Sequence, residues 1–143
     1  MKRVFSGMML ILLLCGILTL ANIHPVKASG AIYIRAWGLV DPSTAPIQRN
    51  GSLYTLTGNI ISDTDGIVIE TSNIILDGAG YTIQGIGSGI GISLSGRSNV
   101  TIKNMEITGF SCGVYLDWSL RCNSLVGNNI AANNGNGIEL WFS

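Results

Sequence analysis

A glycine followed by apolar-x-apolar returns four times along this chain, and that recurrence restricts the fold more than any other feature. The copies are Gly66-Ile67-Val68-Ile69, Gly91-Ile92-Ser93-Leu94, Gly113-Val114-Tyr115-Leu116 and Gly137-Ile138-Glu139-Leu140, spaced by 25, 22 and 24 residues. A second marker keeps phase with it: Asn73-Ile74-Ile75-Leu76, Asn99-Val100-Thr101-Ile102 and Asn123-Ser124-Leu125-Val126. A third apolar position closes each unit at Ile83, Ile107 and Ile130.

Apolar-x-apolar is the period-2 signature of a short strand with one buried face. Strands of about three or four residues form no stable sheet alone, so the units must stack. Gly, Asn, Asp and Ser between them supply tight turns, and no run after the N-terminal apolar stretch has helical periodicity. The expectation is an all-β, right-handed parallel β-helix (solenoid) of about three and a half coils, with like residues in columns roughly 4.8 Å apart. Its interior columns read Ile67/Ile92/Val114/Ile138, Ile69/Leu94/Leu116/Leu140, Leu76/Ile102/Val126 and Ile83/Ile107/Ile130. Asn73, Asn99 and Asn123 are expected to stack as an amide ladder at one turn. Ser124 breaks the interior pattern where Ile74 and Val100 stand, and Leu120 or Cys122 would fill the gap.

Residues 1–28 read as a secretory signal with its helix: Lys2 and Arg3, an apolar core from Met8 to Leu20, and Val26-Lys27-Ala28 before the cut. Polar Asn22 and Pro25 after the core favour cleavage over a retained membrane anchor, and Leu14 before Cys15 argues against a lipoprotein site. Cleavage removes the single histidine, His24, and leaves five basic residues against eight acidic ones, a net charge of −3. That balance, with aromatics at 7%, excludes a nucleic-acid footprint. Charged residues at 11% and apolar ones at 47% exclude disorder. Residues 29–65 read as an N-terminal strand and cap: Ile32-Tyr33-Ile34 and Leu53-Tyr54-Thr55-Leu56 alternate, with turn signals at Asp41-Pro42, Pro46 and Asn50-Gly51 between them. Residues 66–143 read as the coils, incomplete at the C-terminus: either a fragment or a chain that needs a partner on that face. Val114, Leu116, Val126, Ile130, Ile138 and Leu140 are then expected to be partly wet, driving end-to-end self-association.

The segments Gly30 to Arg35 (GAIYIR), Asp41-Pro42 with Ala45 to Gln48 (APIQ), Asp77 to Ile83 (DGAGYTI) and Asn99 to Asn104 (NVTIKN) resemble those of extracytoplasmic parallel β-helix proteins. These are the NosD-like and pectin-lyase-like group of carbohydrate-binding and sugar-hydrolase domains, and the resemblance runs from about Gly30 to Leu140. The NosD side implies copper-site assembly. Copper prefers His, Cys and Met, and after cleavage only Cys112, Cys122 and Met105 remain, so no metal or other cofactor is expected.

The pectin-lyase side implies carboxylate chemistry. Glu70, Ser95, Asp117 and Trp141 follow the first strand of successive units, placing Glu70 and Asp117 two coils, roughly 9.6 Å, apart. Inverting glycosidases separate acid and base by about 6.5–9.5 Å. Tyr115, Trp118 and Trp141 would supply a stacking face nearby. The competing reading makes Glu70 and Asp117 solvated turn residues. Asp77 and Lys103 fall on neighbouring coils and pair; Asp63 and Asp65 lack the other ligands of a calcium loop; Gly85 to Gly91 lacks phosphate-loop spacing. Cys112 and Cys122 flank one strand, leaving a disulfide or two small thiols as alternatives. Asn50 and Asn99 head glycosylation sequons, with Asn99 committed to the ladder.

The functional expectation is a secreted or cell-surface scaffold domain that presents a carbohydrate- or envelope-protein-binding surface. It meets a membrane only through an uncleaved signal segment. The alternative is a polysaccharide lyase or glycoside hydrolase with active residues partly in missing coils.

Overall fold

The computed structural model describes the backbone of residues 26–28 and the whole of residues 30–118 and 122–141. The leader helix, His24 and Leu120 lie outside these residues. Among the described residues the chain is all-β and winds into a parallel β-helix.

Strand β1 (Val26–Ala28) precedes the first coil, which comprises β2 (Ile32–Ile34), β3 (Val40–Asp41), β4 (Ile47–Asn50), β5 (Leu53–Leu56) and β6 (Ile60–Ser62). The second coil is β7 (Ile67–Ile69), β8 (Ile74–Asp77) and β9 (Thr82–Gln84). The third is β10 (Ile90–Ser95), β11 (Val100–Lys103) and β12 (Glu106–Thr108). The fourth is β13 (Cys112–Asp117), β14 (Ser124–Val126) and β15 (Asn129–Ile130), after which β16 (Ile138–Trp141) opens another turn. Sheet I stacks β2, β7, β10, β13 and β16; sheet II stacks β5, β8, β11 and β14; sheet III stacks β1, β6, β9, β12 and β15.

The segment expected only to cap the repeat also supplies a whole coil. Ile32 and Ile34 lie in register with Ile67 and Ile69, and both are buried. The cap is the excursion between β2 and β5: β3 pairs antiparallel with β2 and β4 with β5, so two first-coil strands present no bare edge. The third edge, that of β6, is met by β1 through Val26↔Ile60 and Ala28↔Ser62. Cleavage after Ala28 would take that strand away.

Steric closeness explains why glycine opens each unit. A Cβ on Gly113 would stand 2.5 Å from the Gly137 carbonyl oxygen and 2.5 Å from Ile130 Cγ2. On Gly91 it would meet the Gly113 carbonyl and Ile107, and on Gly66 the Gly91 carbonyl and Ile83. The first and third markers are thus two halves of one contact, in which the glycine leaves the space that the closing isoleucine fills.

One expected column is corrected. Thr101 pairs with Ser124 and Ile102 with Leu125, so Leu125 rather than Val126 continues the Leu76/Ile102 column. Val126 faces outward beside Lys103 and is 52% exposed. The connection from β13 to β14 carries one residue more than its counterpart in the third coil, and a one-residue slip exchanges inside for outside. Asn123 therefore takes the interior place of Val100 and is not the third rung of the ladder. Its Oδ1 accepts from Val100 N at 2.9 Å and its Nδ2 donates to the Arg97 carbonyl at 2.9 Å. Asn128 does the same between Met105 N and Ile102 O, and Asn133 between Phe110 N and Ile107 O. Three asparagines five residues apart thus satisfy the corner peptides of the coil before them.

A second correction concerns Val114 and Leu116. Both are buried, because Ile138 and Leu140 of β16 stack on them. Ile138 (48%) and Leu140 (60%) are exposed as expected.

Candidate functional site

Two hairpins of the first coil build a cleft. The turn from Arg35 to Leu39, closed by Arg35 N to Leu39 O at 2.9 Å and Gly38 N to Arg35 O at 2.7 Å, lifts Trp37 to 70% exposure. The two-residue turn Gly51-Ser52 joins β4 to β5, with Gly51 at φ 61°, and sets Arg49 alongside. Between these turns and the corner Thr71-Ser72-Asn73 lies a cleft of about 300 Å³. Its floor is Tyr54, buried to 1% exposure, whose hydroxyl donates to the Gly38 carbonyl at 2.7 Å. Burial raises the Tyr54 phenol above its ordinary value, while the Arg49 charge opposes that shift. Arg49 donates Nε to the Gly51 carbonyl at 2.9 Å and lies over the Tyr54 ring at 5.6 Å. A smaller depression of about 240 Å³ continues the cleft along Asn73 and Asn99, sharing Ser52, Asn73 and Ile74 with it.

The ladder that borders this extension has two rungs. Asn99 Nδ2 donates to Asn73 Oδ1 at 3.0 Å, and both residues sit at positive φ (55° and 60°), a conformation asparagine tolerates better than most. Register places Cys122, also at positive φ (58°), after Asn99.

Glu70 and Asp117 do occupy one column with Ser95 between them. Glu70, however, is engaged from the preceding coil: Arg35 Nη1 reaches its Oε1 at 3.3 Å. Arg35 also binds Asp41 at 2.6 Å and lies over the Tyr33 ring at 4.0 Å, and its hydrogen bond to Asp41 raises its already high pKa further. Asp117 is paired in register with Trp141. Nearby, the carboxylate of Glu139 receives hydrogen bonds from Trp141 and Asn136, which lower its pKa.

The remaining candidates resolve into turn chemistry. Asp65 Oδ1 accepts from Ile90 N at 2.8 Å and Asp63 Oδ1 from Gly30 N at 3.2 Å, so both acids close corners. Gly85 to Gly89 forms the corner after β9, with Gly87 and Gly89 at positive φ. Asn50 is exposed on β4, and Asn99 is exposed while bonded to Asn73. Cys112 and Cys122 form no disulfide. Cys112 is buried at one end of β13, its Sγ donating to Val114 O at 3.4 Å, whereas Cys122 is exposed past the other end.

Asp77 pairs with Lys103 at 3.0 Å. Its Oδ1 accepts from Ala79 N at 2.9 Å and from Asn104 Nδ2 at 3.2 Å. The Ala79 amide first, then Lys103, hold its carboxyl below the ordinary value of 3.8. A depressed carboxylate pKa stabilises the fold above the unfolded value, and that contribution disappears as pH falls through the folded value. Asp77→Asn should therefore cost about 1 kcal/mol near neutral pH and distinctly less at about pH 2. Denaturant titrations of both proteins at the two pH values check this; an equal gap at both would refute it.

Copper chemistry has no seat among the described residues. No group of three or more His, Cys, Asp or Glu side chains converges there. Met105 is 3% exposed within the core, burial raises the Cys112 thiol pKa and so disfavours the thiolate a metal needs, and Cys122 stands beyond the far end of β13. These donors do not fit a copper site.

The stacked coils, the capped first turn and an outer surface of hydroxyl, amide and exposed aromatic side chains define a parallel β-helix repeat protein. The family model described as periplasmic copper-binding protein (NosD) matches residues 30–143, and the chain belongs to that family. No curated protein and no solved structure matches the chain.

Proposed function

We propose that this chain is an exported β-helix scaffold that binds carbohydrate on its outer surface without cleaving it. The observation that carries this reading is the placement of its tryptophans: Trp37, Trp118 and Trp141 are 70%, 57% and 48% exposed. Tryptophan is highly buried on average, and flat aromatic faces on polar rims suit the C–H faces of sugar rings. Export is supported by the periplasmic character of the family and by the leader-like N-terminus. The engagement of Glu70 by Arg35 argues against a Glu70–Asp117 acid–base pair.

A glycan-binding screen followed by product analysis tests the proposal. Retention of one or more oligosaccharides with no change in their length is the expected result. New reducing or unsaturated ends, abolished by replacing Glu70 and Asp117 together with alanine, would overturn it in favour of an enzyme.

A further inference from the structure

The geometry points to a subsite for an acidic sugar in the first-coil cleft, with its ring on Trp37 and its carboxylate at Arg49. This inference rests on the carbohydrate-binding reading and names the ligand class and the place. Three independent features converge there.

The first is charge. Among the described residues Arg35 is paired with Asp41 and Glu70 and Lys103 with Asp77, whereas Arg49 and Arg97 have no carboxylate partner, and of these two only Arg49 lines the cleft. It is also the single charged side chain lining the cleft. Nε is spent on Gly51 O and the guanidinium also meets the Tyr54 hydroxyl, which leaves the outer N–H groups to bind an anion such as a carboxylate.

The second is positioning. A Cβ on Gly38 would stand 2.6 Å from Arg49 Nη2 and 2.8 Å from the Tyr54 hydroxyl oxygen. The guanidinium therefore rests against the bare Cα of Gly38, at φ 82°, with the Tyr54 ring beside it. A long, flexible side chain is held ready, which lowers the ordering cost of binding.

The third is shape. A volume of about 300 Å³ is at the lower end for ligand sites, and the extension past Asn73 to Asn99 gives an oligosaccharide a direction to continue. Thr71, Ser72 and Asn73 line the wall with hydroxyl and amide groups for sugar hydroxyls. The aromatic plate, the cation and the polar wall divide the work: stacking on the ring, charge pairing with the carboxylate, hydrogen bonds to the rest.

The test uses the full chain carrying Trp118→Phe and Trp141→Phe, so that Trp37 alone reports by fluorescence, with calorimetry alongside. The probes are oligogalacturonate and oligoglucuronate, neutral oligogalactose and oligoglucose, and sodium acetate as a free carboxylate. One of the acidic oligosaccharides is expected to shift Trp37 emission and bind at least tenfold more tightly than its neutral counterpart, with acetate not competing at equal concentration. Arg49→Gln should abolish that preference, bringing the acidic probe to the affinity of its neutral counterpart. Trp37→Ala should weaken both tenfold or more, and Trp37→Phe should recover most of the loss. Thermal midpoints measured alongside establish that each variant is folded before its binding is read. If Arg49→Gln binds the acidic probe as the parent does, or acetate alone matches the oligosaccharide, the subsite is refuted. Glycan binding that persists in both Arg49 and Trp37 variants refutes the cleft but leaves the broader reading standing; absence of any glycan binding by the parent chain, with all three tryptophans in place, removes both.

Discussion

Gly91→Ala is expected to destabilise the protein by about 3 kcal/mol, a large share of the roughly 5–15 kcal/mol that holds a domain of this size together. Gly91 does not owe its identity to an unusual backbone angle. Its added Cβ would stand 2.5 Å from the Gly113 carbonyl oxygen and 3.1 Å from Phe110 Cδ2, closer than carbon and oxygen can approach. The obstructing carbonyl belongs to the next coil, so relief requires two coils to separate and the ladder bonds between β10 and β13 to lengthen along with the stacking. Gly96→Ala is the matched control. Nothing lies within 4 Å of a Cβ there, and its φ of 65° costs an L-residue only about 1–2 kcal/mol. Urea unfolding should show a midpoint loss for Gly91→Ala clearly exceeding that for Gly96→Ala. Equal losses would mean that coil spacing is not set by the glycine column.

That column was legible in the sequence because its cause is local and repeated: each coil meets the same carbonyl at the same corner. Two features were hidden for opposite reasons. The first coil escaped detection because β3 and β4 are inserted within it, so Ile32 meets Ile67 after 35 residues where later steps need 25 or fewer. No periodic search tolerates an excursion of that size, though Ile32-Tyr33-Ile34 carries the right alternation. The slip at Asn123 was visible to a different count. Measured back from the closing isoleucines, Asn123 precedes Ile130 by seven residues, as Val100 precedes Ile107, whereas Asn99 precedes it by eight. Asparagine is an ambiguous marker, because an amide serves both at an exposed corner, as in Asn99, and at an inward one, as in Asn123. Trp37 and Arg49 were not legible as a pair. Each looks like an ordinary loop residue, and only the docking of two antiparallel hairpins onto one parallel coil brings them to the same cleft.

Phe110→Ala should cost about 3–5 kcal/mol, which places it among the most damaging truncations of the described core. Phe110 is fully buried at the corner between sheets III and I, and it packs where backbone gives it room. A Cβ on Gly66, Gly85 or Gly91 would fall 3.2, 2.6 and 3.1 Å from its ring. Three glycines in two coils thus form the socket for one phenylalanine. Removing the ring empties that socket, and the coils cannot collapse into it, because the hydrogen-bonded ladders on either side fix their separation near 4.8 Å. The equivalent place one coil later belongs to Asn133, whose amide caps Phe110 N at 3.0 Å and the Ile107 carbonyl at 3.2 Å. Phe110→Asn does not reproduce that arrangement, since it would leave the apolar socket unfilled and add a polar group to it; its cost should equal or exceed that of alanine. Phe110→Leu keeps part of the ring volume and should lose markedly less. Unfolding by urea, with the slope against denaturant unchanged, is the measurement. An alanine variant within 1 kcal/mol of the parent would show that the corner repacks, and with it that the glycine socket is not rigid.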